Sequence, residues 1–285
     1  MKFHKESAEV FVPDGTAAEE ALARTTHLGV GAHQDDLEIL AVDGILRCFQ
    51  RTDRWFTGVV MTNGSGSPRD DIYADYTDEE MMVVRRKEQK KAAMVGEYGA
   101  QVLLDYPSAA VKDPSNPAPT EDLVALFEAT RPGVVYTHNL ADKHNTHVGT
   151  AVRVIEALRR LPKDRRPARV YGCEIWRSLD WMLDDEKVVF DVSAHDNIQT
   201  ALVSLFDSQV AGGKRYDLAT MGRRRANATY YASHETDIAT HTVYAMDLTP
   251  LIEDPALDVR DYVVGFIERL ADDVAARIAR YQSTD

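Results

Sequence analysis

Strand-like and helical segments alternate along most of this chain, and that alternation restricts the fold more than any other feature of the sequence. Through about the first 160 residues, short apolar runs alternate with segments whose apolar residues recur at the spacing of an α-helix. The predicted strands of this part span 28–32, 55–61, 102–104 and 134–137. The predicted helices span 78–95, 121–129 and 148–158, and a further helical pattern continues directly from the first strand. This alternation predicts an α/β fold with a mostly parallel sheet that helices cover on both faces.

The rest of the chain is smaller and less regular. We predict strands at 170–175, 188–192 and 242–246, a long loop over 106–119 and a closing helix over 259–278. No internal repeat or clear linker divides the sequence. We therefore predict a single domain over residues 1–285, with a core at about 27–210 and a C-terminal extension, 211–285, that closes the fold.

Length and charge narrow the class of protein. The 285 residues are enough for one large α/β domain, and the net charge of −13 disfavours nucleic acid and anionic membranes as partners. The N-terminus lacks the apolar core of a signal peptide, and no apolar run is long enough to span a bilayer. We therefore expect a cytoplasmic protein without membrane insertion. Cys48 and Cys173, the two cysteines, are expected to be buried thiols.

Two clusters of potential metal ligands follow predicted strands. The first contains His33, Asp35 and Asp36, and the second runs from His138 to His147. Two adjacent aspartates repel each other unless a proton or a cation compensates them, and a neighbouring histidine favours a divalent metal. The carboxyl ends of parallel strands meet at one edge of a sheet, where α/β proteins bind their ligands. We therefore expect the two clusters to come together in space.

The residue types in the two clusters suggest distinct roles. A catalytic zinc usually has three protein ligands and one open position, and we predict His33, Asp36 and His147 as those ligands. Asp35 is then free to act as the general base. His144 is close enough in sequence to act on a developing oxyanion or on a leaving amine. A helix cap is the alternative for one of the two aspartates, but it explains only one of them.

Several motifs resemble those of one known family. Residues 32–38, Ala-His-Gln-Asp-Asp-Leu-Glu, resemble the Ala-His-Pro-Asp-Asp-Glu motif of the PIG-L/LmbE-like N-acetylglucosaminyl deacetylases. Residues 144–147, His-Asn-Thr-His, resemble that family's His-Pro-Asp-His segment. Residues 85–88 are similar to its Arg-x-x-Glu helix, and residues 206–209 to a late His-x-Ser-Gln. These segments follow a consistent order over about residues 28–210.

The resemblance implies a Rossmann-like three-layer fold and a zinc-dependent deacetylase, with Fe²⁺ as the alternative metal. It implies the same ligands and the same general base as those predicted above. It also implies that His144 is an electrostatic stabiliser and proton donor, and that Arg85 contacts the substrate near the sugar. An ion pair between Arg85 and Glu88, one helical turn away, is the alternative for that arginine.

The chain departs from the family pattern near both clusters. Gln34 replaces a proline, which we expect to loosen the loop. Thr146 replaces the aspartate that orients the equivalent of His144, and without it His144 would hold a proton less firmly. Asp142 is the candidate substitute for that aspartate. His138 is expected to lie in the second shell around the metal, next to the ligands.

We therefore predict a metal-dependent hydrolase that removes the acetyl group from an N-acetylated amino sugar or its conjugate, using metal-activated water and Asp35 as base. Its partner would be a small N-acetylated molecule, and a homo-oligomeric state stays open. One alternative is an amidase or esterase that acts on a non-sugar substrate at the same site. Another is a non-catalytic sugar-binding protein with a structural metal, which would have no use for an unliganded base at Asp35. A nicotinamide-binding protein is disfavoured, because His-Gln-Asp-Asp follows the first strand where glycines are required.

Overall fold

The computed structural model describes residues 1–282. Its strands are β1 Glu9–Phe11, β2 His27–Gly31, β3 Phe56–Thr62, β4 Ala100–Tyr106, β5 Val134–His138, β6 Arg169–Cys173, β7 Val188–Asp191 and β8 Thr242–Asp247. Its α-helices are α1 Ala18–Ala23, α2 Asp36–Leu40, α3 Val42–Cys48, α4 Asp78–Val95, α5 Ser108–Lys112, α6 Ala118–Thr130, α7 Asn145–Arg160, α8 Asp196–Ser204, α9 Asp207–Val210, α10 Tyr216–Tyr230, α11 Thr249–Glu253 and α12 Val259–Ala279.

The strands of the described residues form one sheet in the order β1-β4-β3-β2-β5-β6-β8-β7. The central strands, from β4 to β6, are parallel. β1 pairs antiparallel with β4 at one edge, and β8 pairs antiparallel with both β6 and β7 at the other. The predicted α/β fold with a mostly parallel sheet is therefore confirmed. The less regular C-terminal part contributes β8, which inserts between two earlier strands.

The strand order places a crevice between β2 and β5. The chain passes from β2 to β3 and β4 on one side, and later returns to form β5 and β6 on the other side. Where the strand order reverses in this way, the loops that leave the two central strands diverge and make room for a ligand. The loop after β2 carries the first cluster and the loop after β5 carries the second. The topology thus brings the two clusters to the same place.

Helices cover both faces of the sheet. The largest apolar cluster includes Leu123 and Val154, from α6 and α7, and a second includes Ile45 and Ala92, from α3 and α4. β3 and β4 are buried at every position, because both of their faces are covered. This burial explains why strands in the interior of the sheet appear in the sequence as continuous apolar runs.

Local sequence determines α4 closely. The helix spans 78–95, as predicted, and ends at Gly96. The Thr77 hydroxyl accepts a hydrogen bond from the Glu80 backbone N–H at 3.2 Å, and the Glu80 carboxylate accepts one from the Thr77 N–H at 2.9 Å. This capping box satisfies two backbone donors at the start of the helix. The position of α4 matters because its buried face carries Arg85 to the crevice.

Three of the predicted segments have a different form in the structure. The helical pattern after β2 forms two helices, α2 and α3, which are separated at Ala41 where φ is −106° and ψ is 17°. The predicted loop over 106–119 contains the short helix α5. α7 begins at Asn145 rather than at 148, so His147 lies in the first turn of a helix and not in a loop.

The cysteines and the closing helix follow the expectations in part. Cys48 and Cys173 are buried free thiols, as predicted. In α12, Val263 and Phe266 pack on the core, while Ile267 is exposed. Among residues 1–282, no helix combines the length and the apolar character that crossing a membrane requires.

Candidate metal centre and active site

The loop after β2 turns sharply at Asp35. This residue has φ 91° and ψ −26°, in the left-handed region, and α2 begins at the next residue, Asp36. A Cβ on Gly31 would lie 2.9 Å from the Asp36 Cβ, so only glycine lets the loop approach the strand end this closely. The turn gives the two adjacent carboxylates different partners. Asp36 contacts histidines, whereas Asp35 contacts α4.

His33, Asp36 and His147 bring two ring nitrogens and both carboxylate oxygens of Asp36 together. His33 Nδ1 lies 3.2 Å from His147 Nε2 and 3.3 Å from Asp36 Oδ2, and His147 Nε2 lies 3.4 Å from Asp36 Oδ1. Ligand atoms at zinc-like bond lengths around a tetrahedral ion stand about 3.4 Å apart. The three residues predicted as ligands therefore have the spacing that a single divalent cation requires.

His138 lies behind these donors. It is fully buried, and its Nε2 accepts a hydrogen bond from the Ala32 backbone N–H at 2.8 Å. The same nitrogen lies 3.3 Å from Asp36 Oδ2, and the ring stacks on His147 with 3.9 Å between ring centres. By distance alone, a metal ion could also be held by His138, Asp36 and His147, or by His33, His144 and His147. Because the lone pair on His138 Nε2 is already engaged, the structure favours a supporting position for this residue.

Burial and neighbouring groups set the charges of the cluster. Burial lowers the pKa of His147 to about 4, so its imidazole is neutral at pH 7 and has a lone pair for a metal. Burial acts to raise the pKa of Asp36, but His147 and His138 outweigh it and hold that pKa well below its usual value. Asp142 Oδ2 lies 3.5 Å from His147 Nδ1, where a carboxylate orients the ring of a ligand. A neutral imidazole beside an ionised carboxylate fits a divalent cation.

Asp35 contacts a different set of groups. Its Oδ2 accepts a hydrogen bond from Arg85 Nη2 at 2.8 Å. Arg85 Nη1 donates to Glu88 Oε2 at 3.1 Å and to Ser208 Oγ at 3.2 Å, and Ser208 Oγ donates to Glu88 Oε2 at 2.7 Å. Burial raises the pKa of Asp35 to about 6, against the opposing effect of the Arg85 guanidinium. A carboxylate with a pKa near neutrality beside the ligand cluster is suited to take up and release a proton.

The contacts of Arg85 differ from those expected for a substrate-binding residue. Its side chain is 1 % exposed, at the inner wall of the crevice, and its guanidinium also donates to the Gln34 carbonyl. The guanidinium carbon lies 5.6 Å from the centre of the Phe206 ring. The ion pair with Glu88, named as the alternative, is present. Arg85 therefore holds Asp35 and its loop in place, and the substrate contact implied by the resemblance is not what this geometry favours.

His144 stands at the edge of the cluster without an acidic partner. Its ring centre lies 4.9 Å from that of His33 and 4.6 Å from that of His147, and its Nδ1 is buried without a hydrogen-bond partner in the described residues. Asp142 accepts the backbone N–H of His144 at 3.1 Å and lies beside the His147 ring. Within the described residues Asp142 makes no hydrogen bond to the His144 imidazole, so this geometry does not favour the hypothesis that Asp142 orients that ring. Burial and the neighbouring His33 lower the pKa of His144.

Gln34 restrains the loop, contrary to the expectation that it would loosen it. Its side-chain amide donates to the Thr62 carbonyl at 2.9 Å, at the end of β3. Gly64, with φ 79°, packs against this arrangement, and a Cβ there would lie 2.7 Å from Gln34 Oε1 and 2.9 Å from the Arg85 Cβ. The hydrogen bond thus takes over the restraint that a proline would give to the backbone.

A cavity of about 570 Å³ opens beside the donor cluster. Its inner end contains the predicted ligands, Asp35 and His144, and its outer wall comes from Glu174 to Trp176 and from residues between 214 and 224. Trp176 meets Tyr216 edge-to-face, with 5.9 Å between ring centres. The sequence did not predict that these segments form one wall. No spacing pattern connects its segments.

Comparison with protein families supports the resemblance. Residues 28–158 match the family model described as PIG-L: GlcNAc-PI de-N-acetylase. The resemblance predicted from the sequence is thereby confirmed for the part of the chain that carries both clusters. No curated protein matches the chain by sequence.

Solved structures with the same fold include proteins with different activities. N,N'-diacetylchitobiose deacetylase from Pyrococcus horikoshii is 15% identical, with a TM-score of 0.60 over 81% of this chain and 86% of that one. The 4-carboxy-2-hydroxymuconate hydratase GalB from Pseudomonas putida is also 15% identical, with a TM-score of 0.57 over 79% and 96%. The zinc-inhibited form of a teicoplanin deacetylase is 14% identical, with a TM-score of 0.51 over 78% and 97%. At these identities the likeness shows the Rossmann-like fold alone.

Proposed function

We propose, from the match of residues 28–158 to the PIG-L family of de-N-acetylases, that this chain is a metal-dependent N-deacetylase. Its substrate would be an N-acetylated amino sugar or its conjugate, and its products acetate and a free amine. One observation carries the proposal. His33, Asp36 and His147 form a donor cluster, and Asp35 is held just outside it at the same end of the cavity.

The donor cluster would hold zinc, with Fe²⁺ as the alternative. His33, Asp36 and His147 would hold the ion, which would supply a Lewis acid for the acetamide carbonyl and lower the pKa of a water molecule. The neutral His147 and the ionised Asp36 support this role, because neither needs to lose a proton before it binds a cation.

Asp35 would move the proton. Its Oδ2 is engaged by Arg85, so its Oδ1 is the oxygen available to accept a proton from the attacking water. The pKa of about 6 leaves most of this carboxylate ionised at pH 7 while keeping it basic enough for the task. As the C–N bond breaks, the same oxygen would return the proton to the nitrogen, so that the leaving group departs as a neutral amine.

His144 would stabilise the developing oxyanion through a hydrogen bond into the cavity. Burial and His33 lower its pKa, and its Nδ1 has no carboxylate beside it among residues 1–282. Both features favour the neutral imidazole and make it a weak proton donor. We therefore propose that Asp35 donates the proton to the leaving amine, although the resemblance implies His144 for that role.

The experiment measures acetate release from a panel of N-acetylated amino sugars and N-acetylated non-sugar amines. The protein is stripped of metal, then loaded with one equivalent of zinc or Fe²⁺, with excess zinc as a separate arm because a teicoplanin deacetylase of this fold has a zinc-inhibited form. We expect hydrolysis of at least one amino sugar with the loaded protein, and background rates without metal. Release of acetate from non-sugar amines alone would support the amidase alternative instead.

Two variants separate the proposed roles. Asp35→Asn should lower kcat by about 10²- to 10⁴-fold, because no other group takes the water proton. His144→Gln keeps a hydrogen-bond donor near the same place and should lower kcat by less than about tenfold. If kcat fell by several hundredfold in both variants, the role of proton donor would belong to His144. Full activity in Asp35→Asn would remove the proposed mechanism.

A further inference from the structure

The outer end of the cavity carries a concentration of positive charge. Lys143, Arg177, Lys214 and Arg223 surround Trp176, where the main cavity adjoins a smaller depression. We call these four residues the cationic rim. The Lys214 Nζ lies 5.3 Å from the centre of the Trp176 ring. Because the chain has a net charge of −13, overall composition does not account for this group.

The rim cations lack acidic partners. Within residues 1–282 none of the four forms an ion pair, and Arg223 donates to the neutral carbonyl of Ile175. Arg215 provides a contrast, because it follows Lys214 directly and is paired with Asp217 at 2.7 Å. The chain therefore neutralises one cation of this loop and leaves its neighbour free.

The acidic residues nearest the rim are already engaged. Asp180, which lines the depression, lies 3.3 Å from Lys187 Nζ. Glu174, which lines the main cavity, accepts the backbone N–H groups of Leu179 at 3.3 Å and Tyr244 at 3.2 Å. Burial raises the pKa of Glu174, against the opposing effect of the Arg223 guanidinium, with which it forms no ion pair.

A buried arginine adds to the positive charge of the same wall. Arg224 lines the cavity but is only 2 % exposed. Its Nη atoms donate to Gln199 Oε1 at 3.0 Å and to the Glu38 carbonyl at 2.7 Å, and its Nε has no partner in the described residues. These acceptors are neutral, so they satisfy hydrogen bonds without compensating the charge. A buried cation normally has an anionic partner.

We propose that the cationic rim binds an anionic group, a carboxylate or a phosphate, at the end of the substrate away from the acetamide. The placement of the acetamide rests on the proposed function, whereas anion binding by the rim does not. Trp176, Arg177, Lys214, Arg223 and Arg224 lie outside the segment that matches the family model. The family description names GlcNAc-PI, a phosphate-bearing conjugate, so what the proposal adds is the set of residues in this chain that would bind the anion.

The first test measures binding to the metal-free full-length protein by calorimetry. Without metal there is no turnover, and an anion cannot bind an ion in the donor cluster. The probes are two aryl glycosides of N-acetylglucosamine, one with a para-carboxylate and one with a para-carboxamide of the same size. We expect the carboxylate to bind about tenfold more tightly, since two or three partly exposed ion pairs together contribute about that factor. Equal affinities for the two glycosides, together with no phosphate preference, would overturn the proposal.

A second pair of probes distinguishes the source of the anion. N-acetylglucosamine 1-phosphate is compared with methyl N-acetylglucosaminide under the same conditions. A preference for the phosphate alone would identify a phosphate-bearing conjugate, and a preference for the aryl carboxylate alone would identify a longer, carboxylate-bearing one. Either result supports an anionic substrate.

Variants locate the binding to the rim. Lys214→Gln combined with Arg223→Gln should abolish the anion preference, while the affinity for the neutral glycosides changes less than about twofold. Arg280→Gln with Arg277→Gln, on the exposed end of α12, removes the same net charge and should leave the preference intact. A preference that survives in the rim variant would overturn the proposal. These results do not depend on hydrolysis, so failure of the proposed deacetylase activity would be recognised separately.

Discussion

The two ends of the cavity are built on opposite principles. At the inner end, ionisable groups contact one another, as His33, Asp36 and His147 do within 3.4 Å. At the outer end, Lys214 and Arg223 have no acidic partner among the described residues. Under the two proposals, the inner end would hold a metal ion and the outer end would bind a ligand that carries its own charge.

The residues of the two ends also come from different parts of the chain. The groups of the inner end come mainly from loops that follow β2 and β5, inside residues 28–158 that match the family model. The outer wall comes mainly from segments after β6 and around α10. Substitutions at the inner end should change kcat and metal content, and substitutions at the outer end should change KM and substrate preference.

The largest effect is expected from His147→Ala, which removes a donor and leaves the ionised Asp36 beside an empty space. Bound metal should fall from about one ion per chain to nearly none, and kcat by at least about 1000-fold. Elemental analysis after gel filtration, combined with acetate release, measures both.

His144→Gln serves as the matched control for that variant. His144 lies within ligand distance of His33 and His147, but the donor cluster is complete without it. Metal content should therefore stay near that of the wild type. Loss of metal in His144→Gln, with metal kept in His147→Ala, would show that the ligands have been assigned wrongly.

An intermediate effect is expected from Arg85→Met. The substitution leaves Asp35 and Glu88 buried without their cation, which should lower the free energy of unfolding by about 3–5 kcal/mol. It should also lower kcat by about 10- to 100-fold, because Asp35 is no longer held. Urea unfolding and steady-state kinetics measure the two quantities, and Arg85→Lys should recover part of each.

The neighbouring Arg86 offers the control for Arg85. It is paired with Glu9 at 3.1 Å and with Asp105 at 2.9 Å, away from Asp35. Arg86→Met breaks ion pairs on the same helix, yet kcat should stay within about twofold of the wild type. A kcat loss as large as that in Arg85→Met would mean that α4 acts through general stability and not through Asp35.

The smallest effect is expected at the outer end, from Trp176→Leu. Loss of the aromatic surface should raise KM by about 2- to 10-fold while kcat stays nearly constant. Trp55→Leu is the control, because Trp55 directly precedes β3, at the amino ends of the parallel strands and away from the cavity at their carboxyl ends. A fall in kcat without a change in KM would mean that Trp176 takes part in the chemical step. It would contradict the assignment of kcat effects to the inner end and KM effects to the outer end.

The sequence predicted the fold and the donor cluster because both rest on local signals. Strands buried on both faces appear as continuous apolar runs, and the Thr77–Glu80 capping box marks the start of α4. The approach of His33 to His147 followed from the rule that parallel strands end at one edge. These inferences required no knowledge of side-chain packing.

The contacts that sequence reasoning missed depend on packing between distant segments. Arg85 reaches Asp35 from a position 50 residues away, and its spacing from Glu88 gave no indication of that contact. α10 escaped prediction because it buries polar side chains such as Arg224 and Asn227, which hide its apolar periodicity. The contact of Asp142 with the His147 ring was not predicted, because the sequence did not show that α7 begins at Asn145 and includes His147 in its first turn.

The left-handed backbone at Asp35 limits which residues can replace it. A φ of 91° suits glycine and is tolerated by asparagine or aspartate, but it strains alanine and β-branched residues. An alanine substitution there would disturb the turn as well as the proton transfer. For the same reason, a descendant of this chain that drifted into inactivity would be expected to carry asparagine or glycine at this position. Such a protein would keep the fold and the metal ligands, and the substitution at position 35 alone would indicate that it is inactive.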